Sequence, residues 1–551
     1  MALGGSRRLA RIGLAGLLVA IAAAYFFSNP YWYGDSVWYA LDVASGRLPL
    51  DSGHLLWRPL GYATWRILEA CGASSDPLDA FRWMSSAATA LLCLASYRLA
   101  LALTASRTQA LAAAAVVALS KMCLAYGGSG SSYTAAMAMT TLALGLVATP
   151  REGGWRARQG AASCLALAAG WTAWGTAVLV LPGLFVAAAV GSAGGWPRRV
   201  LHAGLLCGVA TALVLAIAFV AYAGFLPDGS NATFLEWLRA ASHGRAMGLS
   251  SLGMARAAYG LLVSFVHLGS VGTVLKDALL GGVPTLEGVG AMLLVAILFG
   301  VALVPFVSLA WPKPVERSEG VAPLAVAALA LATLLPVAGF AISWKGSDVE
   351  RFSLAVPMLA IAGVDGLARL RLPTKRALLD PAKRGFALAA VLGLVNVGTY
   401  LAPSLATQGG VATAVGRVAA EHLPAGSTIV VAGNELFGEV MGPAFYHHHI
   451  TVFSVTFDVI DHGAAGYEER LRATLDKTLA RGGRIAVLSD LVGRPTPGGI
   501  GLNLREHPIP SLEQLEAIFA PWHPEESWQV DRFTFVRIRP PDDRPPSSER
   551  E

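Results

Sequence analysis

Charged residues are scarce in this chain. Of its 551 residues only 14% are Asp, Glu, Lys or Arg, whereas 54% are hydrophobic, and the mean hydropathy is +0.54. A soluble globular protein carries about 25% charged residues, so the composition excludes an ordinary soluble protein and predicts a polytopic α-helical membrane protein. The net charge of +6 is typical of basic cytoplasmic loops, and it does not indicate nucleic-acid binding.

Cysteines and internal repeats are also lacking. The five cysteines are Cys71, Cys93, Cys123, Cys164 and Cys207. Most of them lie in apolar segments, which argues against a disulfide framework and against a thiolate metal site. No sequence repeat at a fixed period is present. The N-terminal segment has a basic flank and a long apolar run but no small-residue cleavage site, so we predict that it is a retained signal anchor.

Long apolar runs predict eleven membrane spans. The basic residues near the N-terminus place it in the cytoplasm, and eleven spans then leave the other basic loops on that side. Residues 28–82 and 226–288 would lie outside. Within the second segment, Ala257–Leu280 is predicted to be an interfacial or re-entrant helix, and an extra pair of spans is the alternative. The eleven spans are Leu9–Phe27, Trp83–Leu103, Gln109–Tyr126, Tyr133–Ala148, Gly160–Trp174, Gly175–Val190, Val200–Phe225, Val289–Leu309, Val321–Ser343, Phe352–Leu370 and Gly385–Ala402.

The composition changes after residue 402. Strand-like and helix-like segments alternate over residues 403–540, which predicts a small α/β domain with a mainly parallel sheet, outside the membrane. Residues 541–551 are polar and rich in proline, so we expect a disordered tail. The predicted strands are Ser427–Gly433, Ile450–Phe457, Arg484–Asp490 and Trp528–Ile538, and the predicted helices are Val411–Leu423, Asn434–Tyr446, Tyr467–Arg481 and Ser511–Phe519.

The first outer loop concentrates polar chemistry. Tyr31–Tyr62, "YWYGDSVWYALDVASGRLPLDSGHLLWRPLGY", holds three acids, one His, two Arg and many aromatic residues. Aromatic rings favour the membrane interface, and carboxylates avoid lipid. The loop is therefore predicted to present acid and base groups at the membrane surface. A solvated loop with an aromatic belt is the plain alternative.

Two motifs of this loop resemble a known family. "GDS" (Gly34–Ser36) follows the first span, and "SGHLLWRPLGY" (Ser52–Tyr62) comes soon after it. Together they resemble the first outer loop of the GT-C superfamily of membrane glycosyltransferases, closest to the bacterial dolichyl-phosphate-mannose-type branch. In that branch the His is often followed directly by prolines, so the resemblance to the superfamily's layout is better than the resemblance to the branch.

The resemblance implies that Asp35 is the catalytic base. A sugar hydroxyl is a poor nucleophile, and a carboxylate within hydrogen-bond reach accepts its proton as it attacks the anomeric carbon. The alternative role for Asp35 is a helix N-cap at the membrane surface.

A second motif lies at residues 343–363. The residues Glu350, Arg351, Phe352, Leu354 and Pro357 resemble the ER-aromatic-x-L-x-x-P entry, from an outer loop into a span, that is common in GT-C enzymes. Arg offers fork-shaped donors to phosphate oxygens, so the resemblance implies donor-phosphate binding by Arg351, helped by Lys345 or Arg58. A plain ion pair of Arg351 with Glu350 or Asp348 is the alternative. The expected lining of the cleft is His54, Tyr62, Asp51, Tyr133, Asp348 and Glu350.

Other polar features are weaker. The predicted outer turn "YGGSGSSY" (Tyr126–Tyr133) lacks the second acid that related enzymes often hold there, so Asp42 or Asp51 fills that role or one acid suffices. We therefore expect a monophosphate carrier and neither metal nor cofactor. Lys121 lies inside a predicted span, where it either snorkels or faces a cavity. His447–His449 is interpreted as a loop feature.

These expectations combine into one function. The chain is predicted to be an inverting glycosyltransferase of a bacterial inner membrane, which moves a sugar from a polyprenyl-phosphate carrier to an acceptor hydroxyl of a glycan, lipid or protein at the outer face. A transporter or lipid flippase is a rival, although such proteins often show a repeat of spans. A non-catalytic membrane scaffold is the other rival.

Overall fold

The computed structural model divides the chain into two compact units. The larger unit is Met1–Asn29 with Asp42–Pro403, and the smaller is Pro30–Leu41 with Ser404–Glu551. The structure describes residues 2–28, 35–46, 48–149, 154–225, 233–240, 250–269, 289, 293, 323–343, 348–370, 380, 383–406, 410–432, 448–455, 458–459, 465–492, 510–530 and 533–541.

The described part of the larger unit is helical. Its α-helices are α1 (Ala2–Ser28), α2 (Ser36–Ala44, which crosses the boundary between the units), α3 (Trp57–Ala70), α4 (Pro77–Thr104), α5 (Arg107–Leu119), α6 (Lys121–Tyr126), α7 (Tyr133–Ala148), α8 (Ala157–Ala173), α9 (Leu181–Gly191), α10 (Trp196–Phe225), α11 (Phe234–Ala240), α12 (Ser251–Phe265), α13 (Pro323–Ser343), α14 (Val356–Arg369) and α15 (Arg384–Asn396). Two 3₁₀ segments, Gly175–Val180 and Val349–Ala355, lead into α9 and α14, and a π-helical segment, Val397–Leu401, follows α15.

Several of these helices are long enough to cross a membrane. In the described ranges, five helical stretches combine sufficient length with sufficient apolar character: Pro77–Thr104, Trp196–Gly224, Leu324–Ser343, Val349–Arg369 and Arg384–Leu405. Each predicted span coincides with helix except Val289–Leu309, which lies almost entirely outside the described residues. The number of spans and their orientation stay predictions.

Small residues allow the helices to pack closely. A Cβ added at Gly183 of α9 would lie 2.4 Å from the Thr333 hydroxyl of α13, and one added at Gly61 of α3 would lie 2.1 Å from the ring of Phe81 on α4. Close backbone approach at small residues is the usual way in which membrane helices gain packing energy. These contacts hold the helices that carry the polar residues described below.

One buried side chain ties three helix ends together. Asn396, the last residue of α15, is 0% exposed. Its amide donates to the backbone oxygens of Leu119 at 2.8 Å and Phe265 at 2.7 Å, and its Oδ1 accepts from the backbone N–H of His267 at 2.8 Å. The ends of α5 and α12 thus find partners for polar backbone groups that lipid would leave unsatisfied.

The smaller unit contains a five-stranded sheet. Its strands are β1 (Thr428–Val431), β2 (Thr451–Ser454), β3 (Ile485–Leu488), β4 (His523–Val530) and β5 (Phe533–Arg539), in the order β2-β1-β3-β5-β4. The accompanying helices are α16 (Ala402–Ala406, whose first two residues belong to the larger unit), α17 (Gly410–His422), α18 (Tyr467–Ala480) and α19 (Leu512–Phe519), with a 3₁₀ turn at Ser489–Val492.

The sheet is mixed, which corrects the prediction of a mainly parallel one. β1 pairs in parallel with β2 and β3, but β5 pairs antiparallel with both β3 and β4. The single predicted strand Trp528–Ile538 consists of two strands that pair with each other, with Trp528 opposite Phe535. Aromatic and β-branched residues stand on both sides of Asp531 and Arg532, so this stretch was predicted as one strand. The predicted helix Asn434–Tyr446 lies outside the described residues.

Replacement of Asn396 should destabilise the larger unit. In Asn396→Leu the carbonyls of Leu119 and Phe265 and the N–H of His267 lose their partner, and each buried unsatisfied group costs about 1–3 kcal/mol. We expect a clear fall of the thermal unfolding midpoint of the purified protein in detergent. Thr399→Ala, at an exposed position three residues on, is the control. Equal midpoints for Asn396→Leu and the wild type would show that these hydrogen bonds contribute nothing.

Candidate functional site

The loop that precedes α3 is organised by one ion-paired guanidinium. Arg58 of α3 donates from Nε to Asp42 Oδ2 at 2.7 Å and from Nη1 to Asp51. The other Asp51 oxygen accepts from the backbone N–H of Gly53 at 2.9 Å and of His54 at 2.7 Å, as in an Asx-turn. The positive charge of Arg58 is thus balanced by two carboxylates, and we assign these three side chains to holding the loop in shape.

The environment of Asp51 favours its ionised form. Burial by itself would raise the pKa of this carboxyl, but the charges of His54 and Arg58 and the hydrogen bonds of both outweigh burial, and the pKa falls below its ordinary value of 3.8. Asp51 therefore carries a negative charge at neutral pH. A carboxylate held in this way is a poor proton acceptor, because it is already stabilised by its partners.

His54 is fixed against the junction between α8 and the following 3₁₀ segment. Its Nδ1 lies 2.8 Å from the Ser132 hydroxyl and 3.1 Å from the Ala173 backbone oxygen. The chain on either side is fixed too, because the backbone N–H of Gly175 donates to the Gly53 oxygen at 2.8 Å. A Cβ at position 175 would lie 2.7 Å from the Ser52 oxygen, so this close approach needs glycine.

Three aromatic rings form a buried wall beside His54. Tyr133 is the first residue of α7, and its ring packs edge-on against Tyr126 (centroids 5.1 Å apart), Trp174 (4.9 Å) and His54 (6.2 Å). All three aromatic side chains are buried. We call Tyr126, Tyr133, Trp174 and His54 the aromatic wall. Edge-to-face packing of this kind fixes ring orientation as well as burying area.

The turn between Tyr126 and Tyr133 is buried. Its backbone is satisfied by side chains: the Gly127 oxygen accepts from the Thr89 hydroxyl at 3.2 Å, the Gly130 N–H donates to the Ser85 hydroxyl at 2.9 Å, and the Gly130 oxygen accepts from Trp57 Nε1 at 3.0 Å. Non-helical backbone in a membrane protein is tolerated where protein buries it or where it borders a cavity. The sequence predicted only an outer turn here. The structure shows that this glycine- and serine-rich turn is buried within the larger unit.

Glu350 and Arg351 join the aromatic wall from the other side. Arg351 Nη2 lies 2.9 Å from Glu350 Oε1 and 3.9 Å from Asp348 Oδ2. The other Glu350 oxygen accepts from the Tyr126 hydroxyl at 3.3 Å. The Arg351 and Glu350 side chains are only 11% and 13% exposed. The ion pair raised above as an alternative thus exists, and Tyr126 connects it to the wall.

The second motif has a structural explanation. Val349–Ala355 forms a 3₁₀ segment that continues into α14, with Pro357 in the first helical turn, where its fixed φ and missing N–H cost nothing. Phe352 and Leu354 are buried in the core. They anchor the segment, and the neighbouring Glu350 and Arg351 are thereby held at the start of a membrane-capable helix.

Comparisons with known proteins leave the family open. No protein-family model matches the sequence, and no curated protein matches it significantly. Among solved structures, one that is similar is the oligosaccharyltransferase of Archaeoglobus fulgidus, in complex with Zn and sulfate. The alignment covers 95% of this chain and 72% of that chain at 12% identity, with a TM-score of 0.46. Similarity at this level establishes neither a shared fold nor a shared reaction.

The structure brings many of the predicted site residues into one unit. His54 and Tyr133 belong to the aromatic wall, Glu350, Arg351 and Asp348 to the adjoining ion-paired group, and Asp51 and Arg58 to the loop beside it. Tyr62 lies on α3, partly exposed, with its ring edge-on to Trp65. Lys345 lies outside the described residues.

Asp35 belongs to the smaller unit and immediately precedes α2. It is half-buried, and its Oδ2 accepts from the Tyr39 hydroxyl at 3.1 Å. Its role as a base stays a prediction.

Sequence reasoning missed Trp174 and Ser132. The predicted spans Gly160–Trp174 and Gly175–Val190 adjoin at Trp174, and this break inside an apolar run is the signal that pointed to the place. Within the described ranges, no group of three His, Cys, Asp or Glu side chains is placed to bind a metal ion. His448 and His449 are described and lie in a turn. The expectation that no metal is used stays a prediction.

The lowered pKa of Asp51 predicts pH-dependent stability. A carboxyl whose pKa is lower in the folded state stabilises the protein above its unfolded pKa, and this contribution disappears as pH falls through the folded pKa. Asp51→Asn should therefore lower stability by about 1 kcal/mol at pH 7. The difference from the wild type should shrink below about pH 4. Thermal unfolding at pH 7 and pH 3.5 tests this, and a difference that is constant with pH would contradict it.

Proposed function

We propose that this protein is a membrane glycosyltransferase that transfers a sugar from a polyprenyl-phosphate carrier to an acceptor hydroxyl at the outer face of a bacterial inner membrane. The proposal includes inversion at the anomeric carbon and needs no metal. It is supported by the two motifs that resemble GT-C enzymes, by the membrane-capable helices, and by the polar group that the larger unit builds from those motifs.

The observation that carries the proposal is the placement of Arg351. Arg351 is ion-paired with Glu350, and a buried pair of this kind fixes the orientation of the guanidinium more than it adds stability. Arg351 is only 11% exposed at the beginning of a membrane-capable stretch, next to the aromatic wall. Arg has five N–H donors and binds phosphate through two of them at once. A lipid phosphate lying at the membrane surface is an anion that such a group binds well.

Glu350 has a positioning role in this proposal. It holds the Arg351 guanidinium from one side and accepts from Tyr126 with its other oxygen. A guanidinium fixed before the donor arrives loses less entropy on binding. His54, Tyr62, Tyr133, Asp51 and Asp348 are proposed to border the cleft, and Lys345 to assist Arg351. Arg58, held by two carboxylates, is better suited to shaping the loop than to binding phosphate.

Asp35 is proposed to act on the acceptor. It takes the proton of the acceptor hydroxyl while that oxygen forms a bond to the anomeric carbon, and the bond from that carbon to the phosphate oxygen breaks. The polyprenyl phosphate leaves with the bonding electron pair. Attack from the face opposite the phosphate inverts the configuration. The Tyr39 hydroxyl, which donates to Asp35, would keep the carboxylate oriented.

Asp35→Asn should abolish sugar transfer with little effect on folding. Loss of a general base costs about 10²–10⁴-fold in rate. A strain that lacks the protein, complemented with the wild type or with Asp35→Asn, is compared by mass spectrometry of its envelope glycans. The glycan that disappears on deletion should return with the wild type alone. Asp476→Asn, an exposed acid on α18, should restore it fully. Normal glycans with Asp35→Asn would refute the assignment of the base.

Sugar transfer should depend on the shape of the side chain at position 351 as well as on its charge. Arg351→Gln removes the cation and should lower transfer at least 100-fold. Arg351→Lys keeps the charge but loses the fork geometry, and it should retain an intermediate rate with a raised KM for the lipid donor. The measurement is transfer by the purified variants at several donor concentrations. Rates for Arg351→Gln within twofold of the wild type would rule out donor binding by this residue.

A further inference from the structure

A second polar junction of the larger unit is not used by the proposed reaction. It forms where α5 breaks at Ser120, whose hydroxyl accepts from the backbone N–H of Cys123 at 3.3 Å and so caps α6. Lys121 is the first residue of α6. Asn396 closes the junction by binding the Leu119 oxygen at the end of α5 and the backbone N–H of His267 after α12.

His267 faces this junction. Its ring lies 5.1 Å from the ring of Tyr400 in the π-helical segment that follows α15, and such segments are frequent at functional sites. In the described part of the chain, its buried Nδ1 has no hydrogen-bond partner. Burial, and next the positive charge of Lys121, lower the pKa of His267 to about 4. The imidazole is therefore neutral at neutral pH. Asn396 joins the backbone of His267 to the end of α5 at Leu119, two residues before Lys121.

Lys121 lacks an acidic partner. Among the residues that the structure describes, no carboxylate pairs with it, and it is only partly exposed. A lysine withdrawn into a membrane unit without a counter-charge costs about 2.5–3.5 kcal/mol on insertion scales. An anion that binds from outside the chain would offset this cost, because it would supply the missing counter-charge.

The two helices of this junction, α6 and α12, also extend to the ion-paired residues Glu350 and Arg351. Tyr126 lies five residues after Lys121, about 7.5 Å along α6 at 1.5 Å per residue. On α12, the Ser264 hydroxyl donates to the backbone oxygen of Val349 at 3.1 Å. His267 follows Ser264 by three residues. Lys121 is therefore on the same helix as Tyr126. His267 follows α12, which contacts Val349, the residue before Glu350.

We propose that Lys121 and His267 form a second phosphate-binding site in the larger unit, distinct from Arg351. The Lys121 ammonium is a compact cation that suits a phosphate oxygen, and the His267 imidazole offers a further hydrogen bond. The ligand class is a phosphate group, carried by a membrane lipid or free in solution. The inference stands on this junction alone and does not require sugar transfer.

Direct binding to the full-length protein tests the site. The protein is held in a maltoside detergent, which carries no phosphate, and the binding of a radiolabelled polyprenyl monophosphate is measured for the wild type, Lys121→Met, Lys121→Arg and His267→Gln. Lys477→Met, on the exposed face of α18, is the matched control. We expect two binding events per wild-type chain. One of them should weaken at least tenfold in Lys121→Met, less in Lys121→Arg and in His267→Gln, and not at all in Lys477→Met.

Two competitors identify the source of the ligand. Inorganic phosphate that displaces the Lys121-dependent event would show a site for free phosphate, and its failure to do so would show a site for a lipid headgroup. Both outcomes support phosphate chemistry. Equal displacement by the matching polyprenol, which lacks the phosphate, would overturn the proposal, as would identical binding by Lys121→Met and the wild type.

The variants also separate this site from the proposed function. Arg351→Gln should remove the other binding event and leave the Lys121-dependent one, whether or not the protein transfers a sugar. Lys121→Met should fold at least as well as the wild type, because it removes a costly buried charge. Lys121→Arg keeps the charge and covers the case in which methionine disturbs packing.

Discussion

A charge withdrawn from water is costly unless it is paired, and the described ion pairs of the larger unit follow that constraint. Arg351 is held by Glu350 and lies near Asp348, and Arg58 bridges Asp42 and Asp51. Glu350 in turn accepts from Tyr126, which packs into the aromatic wall. A buried pair of charges adds little net stability, whereas removal of one partner is expensive. The pairs therefore fix geometry more than they add stability, and a fixed geometry is what a binding site requires.

Breaks in helices create the places where this geometry is possible. Ser120 ends α5, Trp174 ends α8, and Val349–Ala355 is a 3₁₀ entry into α14. Each break frees backbone groups that a continuous helix would satisfy internally. Side chains such as Asn396 and Thr89 then supply the missing partners. Both the aromatic wall and the Lys121 junction lie at such breaks, so irregular backbone and polar function occur together in this unit.

The sequence predicted the helices better than it predicted the site. Long apolar runs located α4, α7 and α10 because hydropathy is a property of each segment alone. The contact of Tyr126 with Glu350 joins residues 224 positions apart, and local patterns do not encode such pairings. The reversal between β4 and β5 was missed because aromatic and β-branched residues stand on both sides of Asp531 and Arg532. The ion pair of Arg351 with Glu350 was anticipated because the motif is contiguous, and donor-phosphate binding by Arg351 stays a prediction.

The most direct test of the account is a cryo-electron microscopy structure of the full-length protein with a polyprenyl-phosphate sugar bound. We expect phosphate oxygens to lie about 3 Å from the Arg351 guanidinium. A donor phosphate bound far from Arg351 would contradict the proposed donor site.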